Sequence, residues 1–325
     1  MLHNPWRRPA NGFTGKPVDE QGLTSELELL VRRKLGSGYS NGFGYGSCVA
    51  IGDHSVVKIA PYPAHRGRFD HERAIAGLSL PGVTVPQILD EGVTDDYEWV
   101  EIELLTGRPA YEVWTDISPT AQSRLIERLA ECIAALQEFP TKTSWLHSQF
   151  DTWRKHVTSA AYRAVERATG IAPDTVIQRA NDFITVNSAH LDERMRVTCH
   201  GDLWFGNVFV NDAGELTGII DWDRLAVAPA DYELDMLWRF WRYPWDFVPA
   251  DYEAAFEKPL ASELLRPMTE VCARQLTMEQ LNARLGMLEL AYRLGITSRF
   301  GWSEKHSRML DTVIGGDWAA ALKIG

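Results

Sequence analysis

The run His200-Gly201-Asp202-Leu203-Trp204-Phe205-Gly206-Asn207, followed by Ile219-Ile220-Asp221-Trp222-Asp223, constrains this chain more than any other part of it. Asn207 stands five residues after Asp202, and Asp221 fourteen residues after Asn207. Phosphoryl transfer from a magnesium nucleotide uses this spacing: one Asp accepts the proton of the attacking hydroxyl, and the Asn and second Asp hold the metal against the phosphates. Hard Mg²⁺ keeps several waters, so one or two protein carboxylates beside the phosphates suffice. Residues 216–220 read as a short apolar strand that delivers Asp221. Val208-Phe209-Val210 reads as its partner, with Asn211-Asp212-Ala213-Gly214 as the turn. Val197-Thr198-Cys199 is a third short apolar run, leading into the Asp202 loop. Taken singly, His-Gly-Asp is an ordinary turn and Ile-Asp an ordinary strand end; the joint spacing sets them apart.

Upstream, the order from Glu26 reads strand, Gly-rich loop, strand, tight turn at Gly52-Asp53, strand. The loop at 36–46 holds five glycines in eleven residues, among them Gly42 and Gly44 beside Asn41 and Phe43. Such a loop lets backbone N–H groups approach phosphates closely. Lys58 interrupts the β-branched run Val56-Val57-Lys58-Ile59, where a lysine is otherwise unwelcome. An ammonium that bridges nucleotide phosphates accounts for it. Residues 68–78 read as a helix that carries Glu72, placed to pair with Lys58. The competing reading is a snorkelling edge lysine and a solvated glutamate in the charged cluster His71-Glu72-Arg73. Residues 85–92 and 99–102 complete a small sheet, and the breaker-rich stretch 103–108 reads as a hinge.

Beyond the hinge the pattern turns helical. Leu125, Leu129, Ile133 and Leu136 recur at helical spacing, and residues 153–191 read as a mostly helical insertion. Trp238, Phe240, Trp241, Tyr243 and Trp245 at helical spacing read as packing rather than a ligand wall, with Arg239 and Arg242 on a solvated face. Asp231 and Asp235 share a helix face; each could brace the Asp202 loop or attract a cationic ligand. Length fits two lobes better than one domain: 325 residues, 45% hydrophobic and 24% charged. A net charge of −11 argues against a nucleic-acid partner and is compatible with a cationic small substrate. Four scattered cysteines read as buried thiols of a reducing compartment, and no apolar run is long enough to span a bilayer. Arg7-Arg8 is not followed by the apolar stretch an export signal needs, so the expected location is cytoplasmic.

Taken with Lys58 and Glu72, the motif His200-Gly201-Asp202, Asn207 and Asp221 resembles that of the aminoglycoside phosphotransferase family. These are small-molecule kinases of the protein-kinase-like fold, related to choline and homoserine kinases. The resemblance covers about residues 26–241 and implies an α+β, bilobal architecture. It implies a loosely ordered arm at 1–22, an antiparallel N-lobe with one main helix at 23–102, a hinge at 103–108, and a larger, mainly helical C-lobe at 109–325. The catalytic core would lie at about 195–240, with substrate-binding helices at about 140–195 and 240–325. It further implies Asp202 as the residue that orients or deprotonates the acceptor, Asn207 and Asp221 as Mg²⁺ ligands, and Lys58 on the phosphates with Glu72 holding it. Asn41, Gly42, Phe43 and Gly44 would cover the nucleotide. The Glu103 carbonyl and Leu105 amide would meet the purine, with Ile102 and Ile220 packed on the ring. His200 would brace the loop, and Asp223 has no assigned role. Protein kinases carry Arg where this chain has Gly201, and it shows Asp-Trp-Asp where they show Asp-Phe-Gly, which disfavours a protein substrate. The implied donor is ATP or GTP and the implied acceptor a hydroxyl of a small polar molecule, an antibiotic foremost. A metabolite kinase (choline, homoserine, sugar) and a non-catalytic nucleotide-binding protein are the alternatives. The oligomeric state is open.

Overall fold

The computed structural model describes residues 25–42, 47–61, 66–75, 78–140, 152–192, 194–256, 262–316 and 318–319. The arm at 1–22, residues Phe43 and Gly44, and 141–151 of the expected substrate-binding region lie outside the described residues. In chain order the first elements are α1 (Ser25–Leu35), β1 (Ser40–Gly42), β2 (Cys48–Ile51), β3 (Ser55–Pro61), α2 (Asp70–Ile75), β4 (Ile88–Val93), β5 (Tyr97–Glu103) and β6 (Arg108–Pro109). Next come α3 (Ala110–Val113), α4 (Pro119–Gln137), α5 (Trp153–Ala168), α6 (Asp174–Asn187), β7 (Arg196–Cys199), β8 (Val208–Val210), β9 (Leu216–Ile219) and β10 (Ala226–Pro229). The last are α7 (Leu234–Arg242), α8 (Ala250–Glu253), α9 (Ser262–Ala273), α10 (Met278–Phe300) and α11 (Glu304–Ile314). The described residues of Met1–Leu125, Trp204–Arg224 and Tyr243–Lys258 form one compact unit, and those of Ile126–Leu203, Leu225–Arg242 and Pro259–Gly325 form another. Residues 103–108 fall inside the first unit.

The first unit is built on an antiparallel sheet of order β1-β2-β3-β5-β4. Alternation along β3 sends Val57 and Ile59 to one face, where they pack with Val31, Cys48, Ala50 and Tyr97. Leu27, Leu30 and Leu35 close over that cluster from α1. This corrects the expectation of a strand from Glu26. Leu27, Leu30, Val31 and Leu35 recur at the period of a helix, and Arg32 reaches back four residues to Glu28 at 2.7 Å. The opposite face carries Ala60, Phe69, Val100 and Ile102, and by alternation Lys58 belongs to it. The helix expected at 68–78 is shorter, with α2 running Asp70–Ile75. The hairpin β8–β9 forms as expected, its turn stitched by Asn211, whose Oδ1 accepts from the amides of Ala213 and Glu215. Strand β6 joins β8 on its other edge.

In the second unit, Ile133 and Leu136 of α4 are fully buried, α5 packs against α10, and β7 pairs antiparallel with β10. Trp238, Phe240 and Trp241 are buried, as a packing role requires, and the Trp238 indole donates to the Trp318 carbonyl. Arg239 departs from the solvated face expected for it. It is buried between Asp235 and Glu289, at 2.7 and 2.6 Å, because a buried guanidinium demands carboxylate partners. The four cysteines are buried. Among the described residues, no helix is long and apolar enough to cross a membrane.

Candidate functional site

Residues expected on phosphate and metal gather in the first unit. Lys58 Nζ donates to Glu72 Oε1 at 2.9 Å, and lies 3.5 Å from Asp221 Oδ1 and 3.7 Å from Asp223 Oδ1. Burial works against the Lys58 charge, but Glu72, Asp221 and Asp223 together outweigh it and raise its pKa. Burial likewise favours a neutral Glu72. The Lys58 ammonium and hydrogen bonding prevail and hold the carboxyl below its ordinary value. Asp223 moves the other way: burial raises its pKa against the pull of Lys58, with the Glu72 charge reinforcing the rise. Lys58 therefore stays an ammonium, and the solvated-lysine reading of Glu72 and Lys58 does not describe this unit.

The hairpin delivers Asp221. Ile220 N–H donates to the Asn207 carbonyl at 3.0 Å, tying the two expected metal residues together through backbone. Trp222 Nε1 donates back to the Ile219 carbonyl and pins the turn beyond. Asp221 itself has φ 63°, and it is the one non-glycine residue with positive φ among those described. Left-handed backbone is uncommon outside glycine and concentrates where a fixed side-chain direction matters. The Asp221 side chain is 43% exposed, so its carboxylate is open to a ligand, whereas Asn207 is buried. An amide and a carboxylate oxygen form a hard donor set of the size magnesium takes beside phosphates. Those residues fit the ion.

Register places the Gly-rich segment relative to Lys58: Gly42 pairs with Val49, and Val49 with Lys58, across three adjacent strands. Asn41 lies one position before, opposite Ala50. At the other end of β5, Glu103 N–H donates to the Gln87 carbonyl and Leu104 N–H to that of His54. Ile102 is buried on the Lys58 face of the sheet, and Ile220 is half-buried. Leu105 lies flat on Gly218, where a Cβ would meet Leu105 Cδ1 at 2.3 Å, so a side chain at 218 would displace it.

Asp202 belongs to the second unit, on the loop after β7. His200 is fully buried, and its Nδ1 accepts from the Asp202 amide at 3.2 Å, which makes it a brace. Gly201 takes φ 75°. The loop hangs on Glu233, which sequence reasoning missed: Oε2 accepts from His200 N–H at 2.7 Å and Oε1 from Gly201 N–H at 3.2 Å. Burial pushes the Glu233 carboxyl up to about 7, against the two amides, and the nearby Asp202 charge adds to the rise. Its flanking acids do other work. Asp231 is clasped by Arg284 at 2.7 and 2.9 Å, and Asp235 by Arg239. Arg68 and His71 were missed too. Arg68 Nη2 pairs with Asp223 Oδ2, and His71 Nδ1 lies 2.9 Å from the Asp223 carbonyl. A cation two positions before a short helix, and a histidine inside it, carry no spacing signal that would single them out.

Comparison with known proteins places the chain in a family. The sequence pattern of the phosphotransferase enzyme family matches residues 35–268. An aminoglycoside 3′-phosphotransferase of Streptomyces fradiae is 28% identical over 214 residues, 62% of this chain and 77% of that enzyme. Its counterpart from Streptomyces ribosidificus is 28% identical over 219 residues, 64% of this chain and 80% of that enzyme. Among solved structures, the GDP complex of wild-type aminoglycoside 2′-phosphotransferase-IIIa superposes with a TM-score of 0.64 at 16% identity, covering 91% of this chain and 99% of that one. A ternary complex of a second aminoglycoside phosphotransferase with streptomycin and ATP gives 0.64 at 12% identity, with 93% and 99% covered. The fold is thus that of the aminoglycoside kinases, and with the family pattern spanning residues 35–268, the chain belongs to the phosphotransferase enzyme family.

Proposed function

We propose that this enzyme transfers the γ-phosphate of ATP or GTP, with Mg²⁺, to a hydroxyl of an aminoglycoside-type antibiotic in the cytoplasm. The observation that carries the chemistry is Lys58 held at 2.9 Å from Glu72 beside the left-handed Asp221. The relatives carry the substrate class: two curated aminoglycoside 3′-phosphotransferases match, and the net charge of −11 suits a polycationic acceptor. Neighbouring structures are described as complexes with GDP and with ATP, which supports both donors.

Lys58 binds and orients the donor phosphates, and Glu72 keeps its ammonium in place. Asn207 and Asp221 hold Mg²⁺, which when bound neutralises charge on the phosphates. Asp202 orients the acceptor hydroxyl and takes its proton. Segment 103–108 serves as the hinge, where the Glu103 carbonyl and Leu105 amide meet the purine between Ile102 and Ile220. Asn41 to Gly44 cover the phosphates. Incubation with ATP or GTP and a panel of aminoglycosides, a macrolide, choline, homoserine and simple sugars, read by product mass, tests this directly. One added phosphoryl group on an aminoglycoside is the expected result. Phosphorylation of choline, homoserine or a sugar alone replaces the acceptor class, and bound nucleotide that never turns over with any acceptor ends the enzymatic assignment.

A further inference from the structure

Helix α2 is six residues long, too short to hold its place by its own hydrogen bonds. Its position, and with it that of Glu72, is decided by what its side chains grip. On the sheet side, Arg73 pairs with Glu98 at 2.7 Å and with Glu91, and Glu98 also accepts from the Gly67 amide at 3.0 Å. Phe69, just before the helix, is fully buried against Val100 and Ile102. On the other side Arg68 and His71 both grip Asp223, one through its carboxylate and one through its carbonyl. Asp223 stands two residues after Asp221, in the short turn Trp222–Arg224 whose indole is bonded back to β9. Its second carboxylate oxygen is buried 3.7 Å from Lys58, and the Asp223 carboxyl also meets that of Glu72.

We propose that Asp223 is a positioning residue: held by Arg68 and His71, it locks α2 to the strand end that bears Asp221, so that Lys58, Glu72 and Asp221 keep one geometry. The proposal rests on the phosphotransferase reading and adds to it a second tie. The Lys58–Glu72 pair joins the helix to the sheet, and the Arg68–Asp223 pair joins it to the metal-side turn. Charge explains why both are present. Three carboxylates converge on Lys58, and Arg68 supplies the second cation that lets Asp223 stay there.

The test is a double-mutant cycle with Arg68→Gln and Asp223→Asn, and Arg68→Lys as the conservative variant, reading nucleotide KM, acceptor KM, kcat and Tm. Each single change is expected to raise nucleotide KM by about tenfold, and the double to cost no more than one alone, because both remove the same tie. Acceptor KM stays unchanged, and Arg68→Lys recovers most of the nucleotide affinity. Arg68→Gln and Asp223→Asn whose effects on nucleotide KM multiply, or leave it unchanged, overturn the tie. A rise in acceptor KM alone with Asp223→Asn makes it an acceptor contact and also overturns it. If Arg68→Gln does not fold, Arg68→Met, which keeps the length of the stem and removes the charge, against Asp223→Asn carries the same cycle. Wild-type protein that turns over no nucleotide removes the phosphotransferase reading itself, a different outcome from an active wild type with indifferent variants.

Discussion

The two halves of the site motif are held in place by opposite means. Around Lys58, side chains from a strand, a helix and a turn meet as charges: Glu72 at 2.9 Å, Asp221 at 3.5 Å, Asp223 at 3.7 Å, and Arg68 behind Asp223. Around Asp202, the loop is held through its backbone. One buried carboxylate, Glu233, accepts two backbone N–H groups and fixes the loop from beneath. The first arrangement trades on opposite charge and tolerates a ligand that brings more charge. The second fixes backbone and leaves the Asp202 side chain partly exposed. A nucleotide with its metal suits the first, and a hydroxyl that needs one oriented acceptor suits the second.

The largest effect should come from the Asp202 side. Asp202→Ala removes the proposed proton acceptor and should lower kcat by about 10²–10⁴-fold. The proposed nucleotide contacts lie on other residues, so kcat/KM for the acceptor should fall in step while nucleotide affinity holds, which steady-state kinetics and equilibrium nucleotide binding resolve. A collapse of nucleotide binding in this variant would merge the two halves into one network. On the Lys58 side, Lys58→Ala strips three buried or half-buried carboxylates of their shared cation. Breaking a buried ion pair costs about 3–5 kcal/mol, so chemical denaturation should show a loss of that order along with lost nucleotide affinity. Full stability in this variant would mean the carboxylates neutralise one another by sharing a proton.

Glu233 supplies a pH test of the same contrast. Its pKa rises from an ordinary 4.5 when unfolded to about 7 when folded. Between those values the native state binds more protons than the unfolded one, so stability is full below about pH 4.5 and falls as pH rises through about 7. At 1.36 kcal/mol per unit the total is on the order of 3 kcal/mol. The groups facing it are Asp202, whose charge adds to the rise, and the thiols of Cys199 and Cys272, both pushed well up by burial and so neutral in this range. Glu233→Gln should flatten unfolding free energy between pH 5 and 8 by about that amount relative to wild type. The amide keeps one acceptor for the loop but turns a donor on the other N–H, so kcat falls as well. Parallel pH profiles for wild type and variant would place the titration elsewhere.

How much of this was legible beforehand follows from the same contrast. The hairpin that carries Asp221 has apolar runs and turn residues in order, and the Lys58–Glu72 pair stands out because a lysine interrupts a β-branched run. Glu233 left no trace. Its partners are backbone amides, which every residue has, and its neighbours Asp231 and Asp235 looked equally suited to the task until Arg284 and Arg239 were seen to claim them. The charges of helix α1 hide a stripe of leucines and a valine that shows only at a period of 3.6. Local pattern reports who alternates with whom, whereas the partner of a buried charge is a tertiary fact.

The smallest expected effect isolates the backbone. Asp221 is held at φ 63°, a conformation that costs an L-residue with a Cβ roughly 1–2 kcal/mol and glycine almost nothing. Asp221→Ala and Asp221→Gly both delete the carboxylate, so both should lose turnover alike, and the loss of its 3.5 Å contact to Lys58 is common to the two. What differs is the strain and the looser unfolded chain of the glycine variant, worth about 0.4–1 kcal/mol against it. The net expectation is that Asp221→Gly is the more stable of the two inactive proteins by up to about 1 kcal/mol, reversing the order in ordinary strands and helices, where glycine is the weaker residue. Thermal unfolding of the pair measures it. Alanine equal or better would mean that the turn relaxes once the carboxylate is gone, and that the left-handed geometry is imposed by the pull of Asp221 toward Lys58 rather than by the hairpin and the Trp222 anchor.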